Sequence, residues 1–257
     1  MPKKVLFINQ EITPYVPETE LSTMGYQLPQ KIQEEGYEIR TFMPKWGNIN
    51  ERRGQLHEVI RLSGINLIID ETDHPLIIKV ASIPSTRIQV YFIDNDDYFM
   101  KRLMAVDENN VEYQDNGQRA IFFARGVLET VKKLRWYPDI IHCQGWMTSI
   151  IPILIKKSYN DEPAFAHTKV ITSLFSNEMK GSLGNNFKKS LEYKNIKATT
   201  LKDFNDDFNY TELEKLAVAY SEGVIEGSQK INKELLDFAA SKNLPLLKYP
   251  GEDFLNA

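Results

Sequence analysis

The residues best placed to do chemistry follow a predicted buried strand within residues 136–149, W-Y-P-D-I-I-H-C-Q-G-W-M-T-S. The apolar pair Ile140–Ile141 predicts the strand, polar residues beginning with His142 end it, and Trp146 opens a predicted amphipathic helix that reaches Ser158. Open α/β sheets bind ligands beyond the carboxyl ends of their strands, close to helix N-termini. The stretch therefore predicts a site at a strand-to-helix turn.

Two side chains of this stretch could move a proton or act as a nucleophile, His142 and Cys143. A catalytic cysteine needs a base beside it, and no second histidine follows closely. We therefore interpret His142 as a packed, hydrogen-bonded strand residue and Cys143 as a small buried residue. The other histidines, His57, His74 and His167, show no metal-ligand spacing, so no metal site is predicted.

Apolar runs alternate with helical periodicity along the chain, which predicts an α/β fold with a Rossmann-like parallel sheet and helices on both faces. The strands expected to be parallel, with their C-terminal ends along one edge, are Val5–Ile8, Tyr37–Met43, Ile140–His142 and Val170–Leu174. The helices that should pack on them are residues 23–35, 115–135, 146–158, 213–220 and 231–242. Pro29 lies inside the first helix and is expected to kink or restart it.

Two parts of the chain break this alternation. Residues 56–94 contain four β-rich runs with no helix between them, which predicts a meander inserted into the α/β unit. The runs are Leu56–Leu62, Ile65–Ile69, Leu76–Ile83 and Ile88–Ile93. Residues 177–209 are polar and poorly periodic, which predicts a mobile excursion with short helices, and residues 243–257 are expected to be irregular. We treat residues 1–257 as a single domain.

Composition excludes several classes of function. The net charge of −4 offers no basic field for nucleic acid or an acidic membrane surface. The single cysteine cannot form an intrachain disulfide, and the apolar runs are too short for a signal peptide or a membrane span. The sequence therefore predicts a cytoplasmic protein.

Six segments, in order over about residues 4 to 240, resemble the N-terminal half of bacterial glycogen synthases and plant starch synthases, glycosyltransferase family 5. They are the 136–149 stretch together with K-V-L-F-I-N-Q-E-I-T-P-Y, G-Y-E-I-R-T-F-M-P-K-W-G, I-Q-V-Y-F-I-D-N-D-D-Y-F, D-N-G-Q-R-A-I-F-F-A-R-G-V-L-E and L-E-K-L-A-V-A-Y-S-E-G-V-I-E-G-S. The resemblance implies one half of a GT-B fold, with a second, nucleotide-binding domain expected beyond the chain. It also implies metal-free transfer of glucose from ADP-glucose, the sugar donor, to an α-1,4-glucan, and no cofactor.

The resemblance also implies a set of site residues. Those expected to bind substrate are Glu11, Tyr15, Asp94, Asn95, His142 and Trp146. Gln144 and Gly145 stand where the family has its catalytic histidine and aspartate, so no residue is assigned a catalytic role.

Some of these residues could instead have purely structural roles. Glu11 could instead cap a helix. Asp115-Asn116 is expected to cap the helix that follows, and Arg119 is expected to pair with a nearby acid. The alternative is that these residues are the remnant of a wall that binds sugar.

Three strand ends depart from the family pattern. The loop P-E-T-E-L-S-T-M-G-Y lacks the family's lysine and paired glycines, and its Glu18 and Glu20 would repel a diphosphate. Leu174-Phe175 replaces a polar pair, and Gln144-Gly145 is the third departure. We therefore expect catalysis by this chain alone to be lost. The alternatives are a domain that acts with a separate synthase C-terminal half, a non-catalytic glucan-binding or regulatory homologue, and a self-associating homo-oligomer.

The replaced positions predict an apolar strand-end face that is bare and able to bind a partner. Its members are Leu21, Met24, Tyr26, Met147, Leu174 and Phe175. For an α-glucan partner, the expected exposed aromatic platforms are Tyr15, Trp46 and Trp146.

Overall fold

The computed structural model describes residues 2–84, 86–176, 179–249 and 251. The strands are β1 (Lys4–Asn9), β2 (Glu38–Pro44), β3 (His57–Glu58), β4 (Ile65–Ile69), β5 (Thr72–Ser82), β6 (Gln89–Asp94), β7 (Ile140–Gln144), β8 (Lys169–Leu174), β9 (Gly223–Glu226) and β10 (Leu246–Leu247). The helices are α1 (Glu20–Glu34), α2 (Glu51–Gly54), α3 (Asn116–Leu134), α4 (Ile151–Ile153), α5 (Phe187–Leu191), α6 (Tyr210–Ala219) and α7 (Lys233–Ser241). None of these helices is long and apolar enough to cross a membrane.

The sheet has the strand order β10-β9-β8-β7-β1-β2-β6-β5-β3, with β4 paired to β5 outside this path. The pairs β2–β1, β1–β7 and β7–β8 are parallel, which confirms the four predicted parallel strands and places their carboxyl ends on one edge. Strand β1 is buried from Val5 to Asn9, so both of its faces are covered. The alternation of apolar runs and helices thus produced the expected α/β architecture.

The β-rich segment forms antiparallel hairpins, as predicted, and its strands β6, β5 and β3 extend the main sheet, with β4 paired to β5. Strand β5 pairs antiparallel with both β4 and β6, and β6 pairs parallel with β2. The predicted strand over residues 56–62 is wrong beyond His57–Glu58, because residues from Val59 onward turn back on themselves with Leu62 N–H bonded to the Val59 carbonyl. Residues 246–247, predicted to be irregular, add a short edge strand beside β9.

Helix α1 begins three residues earlier than predicted because Thr19 and Ser22 form a reciprocal capping box. Pro29 does not interrupt the helix, which runs from Glu20 to Glu34. A proline removes the N–H that would bond the carbonyl four residues before it. Here that carbonyl belongs to Gly25 and accepts a 3.5 Å hydrogen bond from Asn9 Nδ2, so the sheet supplies the missing donor.

The segment after β7 is not the amphipathic helix that we predicted. It is a 3-10 turn at Trp146–Thr148, the short helix α4 and a π-helical turn at Leu154–Ser158. Nearly every residue from Trp146 to Ile155 is buried. The segment contacts α3 and α6 as well as the sheet. It therefore has no exposed face that polar residues could occupy, as an amphipathic helix would have.

The polar excursion contains short helices, as predicted, and is anchored to the core. Its buried apolar side chains, among the described residues, are Met179, Leu183, Phe187, Leu191, Ile196, Leu201 and Phe208. Phe187 and Phe208 pack with ring centroids 5.1 Å apart. These irregularly spaced anchors bury apolar area without any periodic pattern that the sequence could show.

Candidate functional site

The N-terminal turn of α1, Gly227 at the carboxyl end of β9, and Tyr249 border a cavity of about 360 Å³. Its walls are formed by Glu18, Thr19, Glu20, Thr23, Met24, Gly227 and Tyr249. Two of these side chains are carboxylates, and none of the described residues in the walls is a lysine or arginine. We call it the strand-end cavity. Its wall therefore carries negative charge and hydrogen-bond acceptors.

Glu11 lies beside this cavity and holds the start of α1. Its carboxylate accepts hydrogen bonds from Thr19 Oγ1 at 2.8 Å and from Gln10 Nε2 at 3.2 Å. Burial raises the pKa of Glu11, and these two hydrogen bonds oppose the rise. Because Thr19 is the N-cap of α1, Glu11 supports the capping residue and does not itself cap the helix.

Gln144 and Gly145 form the strand end at which the resemblance places a catalytic pair. Gln144 is fully buried, and neither its Oε1 nor its Nε2 has a hydrogen-bond partner among the described residues. Gly145 has φ 87° and ψ 151°, a conformation that only glycine adopts easily. A Cβ at this position would lie 2.7 Å from Gln10 Cβ and 3.0 Å from a methyl of Leu21. The space for an aspartate side chain is therefore already occupied.

We expect the Gly145→Ala variant to be destabilised by about 2 to 4 kcal/mol, because positive-φ strain and overpacking act together. Gly64→Ala is the matched control, since Gly64 has the same φ of 87° but open space around it. The control should lose only about 1 to 2 kcal/mol, the strain alone. Urea unfolding of both variants measures the difference, and equal losses would contradict the crowding at Gly145.

The predicted bare apolar face does not exist. Leu21, Met24 and Phe175 form a small buried cluster between α1 and the end of β8, with Leu28 packed against it. Gly227 makes this possible, because a Cβ there would lie 2.6 Å from the Phe175 ring. The other predicted members are also covered: Met147 and Leu174 are fully buried and Tyr26 is partly buried against the main core.

Ser228 ties α1 to the ends of β8 and β9. Its hydroxyl donates to Glu20 Oε2 at 2.5 Å and accepts the Ser176 N–H at 3.1 Å. The chain beyond β9 continues this closure, since Tyr249 N–H donates to Glu226 Oε2 at 3.2 Å. Glu20, which was predicted to repel a diphosphate, is exposed and already accepts a hydrogen bond from Ser228.

His142 and Cys143 are buried core residues, as predicted from the sequence. His142 Nε2 lies 2.6 Å from Ser173 Oγ, and burial lowers the pKa of His142 to about 4. Burial raises the pKa of Cys143, and the charge of Glu214 raises it further. A neutral imidazole and a protonated thiol without solvent access fit structural roles.

Asp94 and Asn95 lie at the end of β6, which β2 separates from β1. Both are buried and used internally: Asp94 Oδ2 pairs with Lys79 Nζ at 2.8 Å, and Asn95 Nδ2 donates to the Pro75 carbonyl at 2.9 Å. Neither lines the strand-end cavity. In the sheet, β6 lies two strands from β1, which precedes Glu11, and three strands from β7, which ends at Gln144.

Arg119 does not pair with an acid, contrary to our prediction. Its guanidinium donates to the carbonyls of Tyr98, Leu103 and Met104 and to Asn116 Oδ1, at 2.6 to 3.1 Å. Burial lowers the pKa of Arg119 to about 10. Arg119 therefore has a structural role: its hydrogen bonds stabilise the loop that follows β6.

Asp115, expected to cap α3, makes no side-chain cap hydrogen bond. It stands at the N-cap position, but its carboxylate accepts two hydrogen bonds from Arg102, at 2.5 and 2.7 Å. Asn116 turns inward to donate to the Ala105 carbonyl at 2.9 Å. Both residues therefore fix the loop before the helix rather than its first turn.

The three aromatic residues proposed as glucan platforms are buried, which corrects their predicted exposure. Trp46 is fully buried and donates to the Gln10 carbonyl at 2.8 Å, and Trp146 is 3% exposed. Tyr15 lines a separate groove, its ring edge packs on Phe92, and burial raises its pKa to about 12. No group of three or more described His, Cys, Asp or Glu side chains could hold a metal ion.

Several residues that shape this site were not predicted. Gln10 contacts both Glu11 and Gly145, and its Oε1 accepts the Met147 N–H at 3.2 Å. Ser228 contacts Glu20 across 208 residues of sequence. The T-E-L-S spacing of residues 19–22 was a readable capping signal, whereas no local pattern marks Gln10 or Ser228.

Comparison with known proteins gives a consistent result. Residues 4–247 match the family model described as the starch synthase catalytic domain. The chain is 39% identical over 181 residues to the glycogen synthase of Chlorobium luteolum, covering 70% of this chain and 37% of that protein. It is 38% identical over 172 residues to the glycogen synthase of Chlorobaculum tepidum, covering 66% and 35% respectively.

The fold also matches a solved structure, the catalytic domain of starch synthase IV from Arabidopsis thaliana bound to ADP and acarbose. The TM-score is 0.75 at 18% identity, with 96% of this chain and 51% of that one covered. The chain thus spans little more than a third of the length of the curated relatives named above and about half of that catalytic domain.

Proposed function

The chain belongs to the starch synthase catalytic domain family, as a glycogen and starch synthase-related glycosyltransferase domain, and we propose that it does not itself transfer glucose from ADP-glucose to an α-1,4-glucan. The observation that carries this proposal is the crowding at Gly145. A substrate-facing carboxylate cannot be built there, because Gln10 and Leu21 occupy its place. An amide such as that of Gln144 cannot act as a general acid or base near neutral pH, so the neighbouring position offers no substitute.

The charge around the strand-end cavity supports the same proposal. A diphosphate is held by cations, by glycine-rich backbone or by a helix N-terminus free of acids. Here Glu18 and Glu20 lie at the start of α1, and Ser228 is hydrogen-bonded to Glu20. A nucleotide sugar entering this cavity would have to lose the Ser228 contact and approach two carboxylates.

The test is a radiolabel assay of glucose transfer from ADP-glucose to glycogen by the 257-residue chain. We expect no turnover above background, with the complete glycogen synthase of Chlorobium luteolum as the active control in the same buffer. Circular dichroism checks that the assayed chain is folded. Turnover that is lost in the Glu11→Gln variant would place activity at the strand ends and overturn the proposal.

A second arm of the assay addresses the part of the matched relatives that this chain does not cover. The matched relatives are much longer than this chain, so a separate C-terminal half could complete a cleft. Adding the separately produced C-terminal half of the Chlorobium luteolum enzyme should still give no transfer, because the obstruction lies within this chain. Restored transfer would instead make the chain an active half of a two-part synthase.

Calorimetric titration with ADP-glucose and with maltooligosaccharides separates loss of catalysis from loss of binding. We expect neither ligand to bind at the strand ends, since the predicted platforms are buried and the cavity is acidic. The same burial removes the apolar face on which self-association was predicted. Binding of either ligand that Glu11→Gln weakens would contradict this part of the proposal.

A further inference from the structure

A second cleft lies away from the strand-end cavity, between the β4–β5 turn and α5, over the side of α3. Its volume is about 800 Å³. The residues that matter for its chemistry are Asp70, Gln118, Arg125, Lys189, Ser190 and Tyr193. It shares no residue with the strand-end cavity, so its role is independent of the proposed loss of catalysis.

Arg125 is the unusual group in this cleft. Its side chain is 92% buried, yet no carboxylate of the described residues lies within 4.0 Å of its guanidinium. Its Nη1 donates to the Ile68 carbonyl at 2.5 Å, whereas its Nε is buried and has no partner among the described residues. Buried arginines are normally paired, because an uncompensated charge is costly to remove from water. An anion bound in the cleft would supply the missing partner.

The guanidinium is held in place for such a partner. The Cζ atom of Arg125 lies 4.0 Å from the centroid of the Tyr193 ring. This cation–π contact restrains the planar guanidinium group. Lys189 extends from α5 into the same cleft and is exposed. The guanidinium and the exposed ammonium can both donate charge-assisted hydrogen bonds to a tetrahedral oxyanion.

The other residues that line the cleft include several acids, and these limit the kind of anion that can bind. Asp70, Glu71 and Glu192 also line the cleft, which disfavours a ligand with charge along its whole length. Asp70 Oδ2 already accepts hydrogen bonds from Gln118 Nε2 and Ser190 Oγ, both at 2.9 Å. Gln118 Oε1 is buried without a partner, which leaves an acceptor for a hydroxyl group.

The backbone holds the acidic wall in position. Asp70 and Glu71 both have left-handed φ values, 47° and 68°, in the two-residue turn between β4 and β5. Glycine or asparagine usually fills such positions, because other side chains are strained there. The turn nevertheless keeps two carboxylates beside the cleft, where they can accept hydrogen bonds from ligand hydroxyls.

We propose that this cleft binds a small polyhydroxylated molecule that carries one phosphoryl group. The phosphoryl oxygens bind Arg125 and Lys189, and the hydroxyls bind Asp70 and Gln118. A phosphoryl group suits the site because it can accept hydrogen bonds from both cations at once.

The test is calorimetric titration of the intact chain with glycerol 3-phosphate, inorganic phosphate and glycerol, each at millimolar concentrations. We expect glycerol 3-phosphate to bind and glycerol not to bind. Lys189→Glu should weaken the binding by about tenfold or more, and so should Arg125→Lys, which keeps the charge but loses the planar fork. Lys202→Glu is the matched control, an exposed lysine outside the cleft, and should bind like the wild type.

The phosphate arm distinguishes the two parts of the site. Binding of glycerol 3-phosphate more tightly than inorganic phosphate supports both the cation pair and the hydroxyl acceptors, whereas equal binding overturns the role of Asp70 and Gln118. No binding of either phosphate, or equal weakening by Lys189→Glu and Lys202→Glu, overturns the proposal as a whole. Because Lys189 is exposed, its substitution keeps the test valid even where Arg125→Lys fails to fold.

Discussion

Replacing Arg119 with methionine is expected to lower the free energy of unfolding by about 3 to 5 kcal/mol. Methionine keeps much of the apolar stem but removes every donor, so the carbonyls of Tyr98, Leu103 and Met104 lose the partner they share. Each buried acceptor left unpaired costs about 1 to 3 kcal/mol, and this loss exceeds the gain from no longer burying a charge. The guanidinium also lies 5.2 Å from the Trp46 ring, a contact that the variant loses.

The matched control for this variant is Arg102→Met, on the loop whose carbonyls Arg119 binds. Arg102 makes a bidentate pair with Asp115, but both side chains are partly exposed to solvent. Water replaces such a partner readily, so the control should lose about 1 kcal/mol or less. Urea unfolding at neutral pH compares the two variants. Similar losses in both would mean that the carbonyls around Arg119 find other donors.

The sheet was predictable because its strands carry their signal locally. Val5–Ile8 and Ile140–Ile141 are continuous apolar runs between polar turns, which is the pattern of strands covered on both faces. The helix α3 was equally readable, since its apolar residues recur at helical spacing over nineteen residues. Each of these elements is specified by residues within its own length.

The helical segment after β7 could not be predicted in the same way. Its residues from Trp146 to Ile155 are almost all apolar or small, and a fully buried segment has no polar face from which to read a period. Gly145 forces a special turn at its start, and Pro152 sits near the first turn of α4. The packing of α3, α6 and the sheet around it decides its broken geometry, and that packing is not local in sequence.

The sequence predicted where the strand-end residues lie, but it did not predict how far the apolar side chains near them are buried. Glu11, Gln144 and Gly145 do meet where β1 and β7 end, because paired parallel strands bring their ends to one edge. The replacements at Leu21, Met24 and Phe175 were interpreted as bare because in the family that edge faces a second domain. The early start of α1, set by Thr19, brings Leu21 and Met24 onto Phe175 instead. Apolar replacements at facing positions therefore indicate mutual burial as readily as an interface.

Glu214 is the buried acid with the largest expected effect on pH dependence. It lies on α6, is 3% exposed, and accepts a 2.6 Å hydrogen bond from Ser149 Oγ, four residues beyond the Gly145 turn. Burial raises the pKa of Glu214 from 4.5 to about 7, and the Ser149 hydrogen bond opposes the rise. Because the folded pKa lies above the unfolded one, the fold prefers the neutral acid. Its favourable contribution is complete below pH 4.5 and is lost as the pH rises to about 7.

We therefore expect Glu214→Gln to stabilise the fold above neutral pH and not in acid. Glutamine is isosteric and keeps an acceptor for Ser149, so the two proteins should be equally stable near pH 4.5, the unfolded value. Above about pH 7 the variant should be more stable by about 3 kcal/mol, since one pKa unit corresponds to about 1.4 kcal/mol. His142, with its pKa lowered to about 4, is present in both proteins and cancels from the difference.

Urea unfolding of wild type and variant across this pH range measures the effect. Ser149→Ala offers an independent check, because removing the hydrogen bond that opposes the rise should push the pKa of Glu214 higher still. That variant should lose stability more steeply than the wild type as the pH increases. A stability difference between wild type and Glu214→Gln that stays constant with pH would show that Glu214 is charged without penalty. The turn that begins at Gly145 would then be open to water from the side of α6.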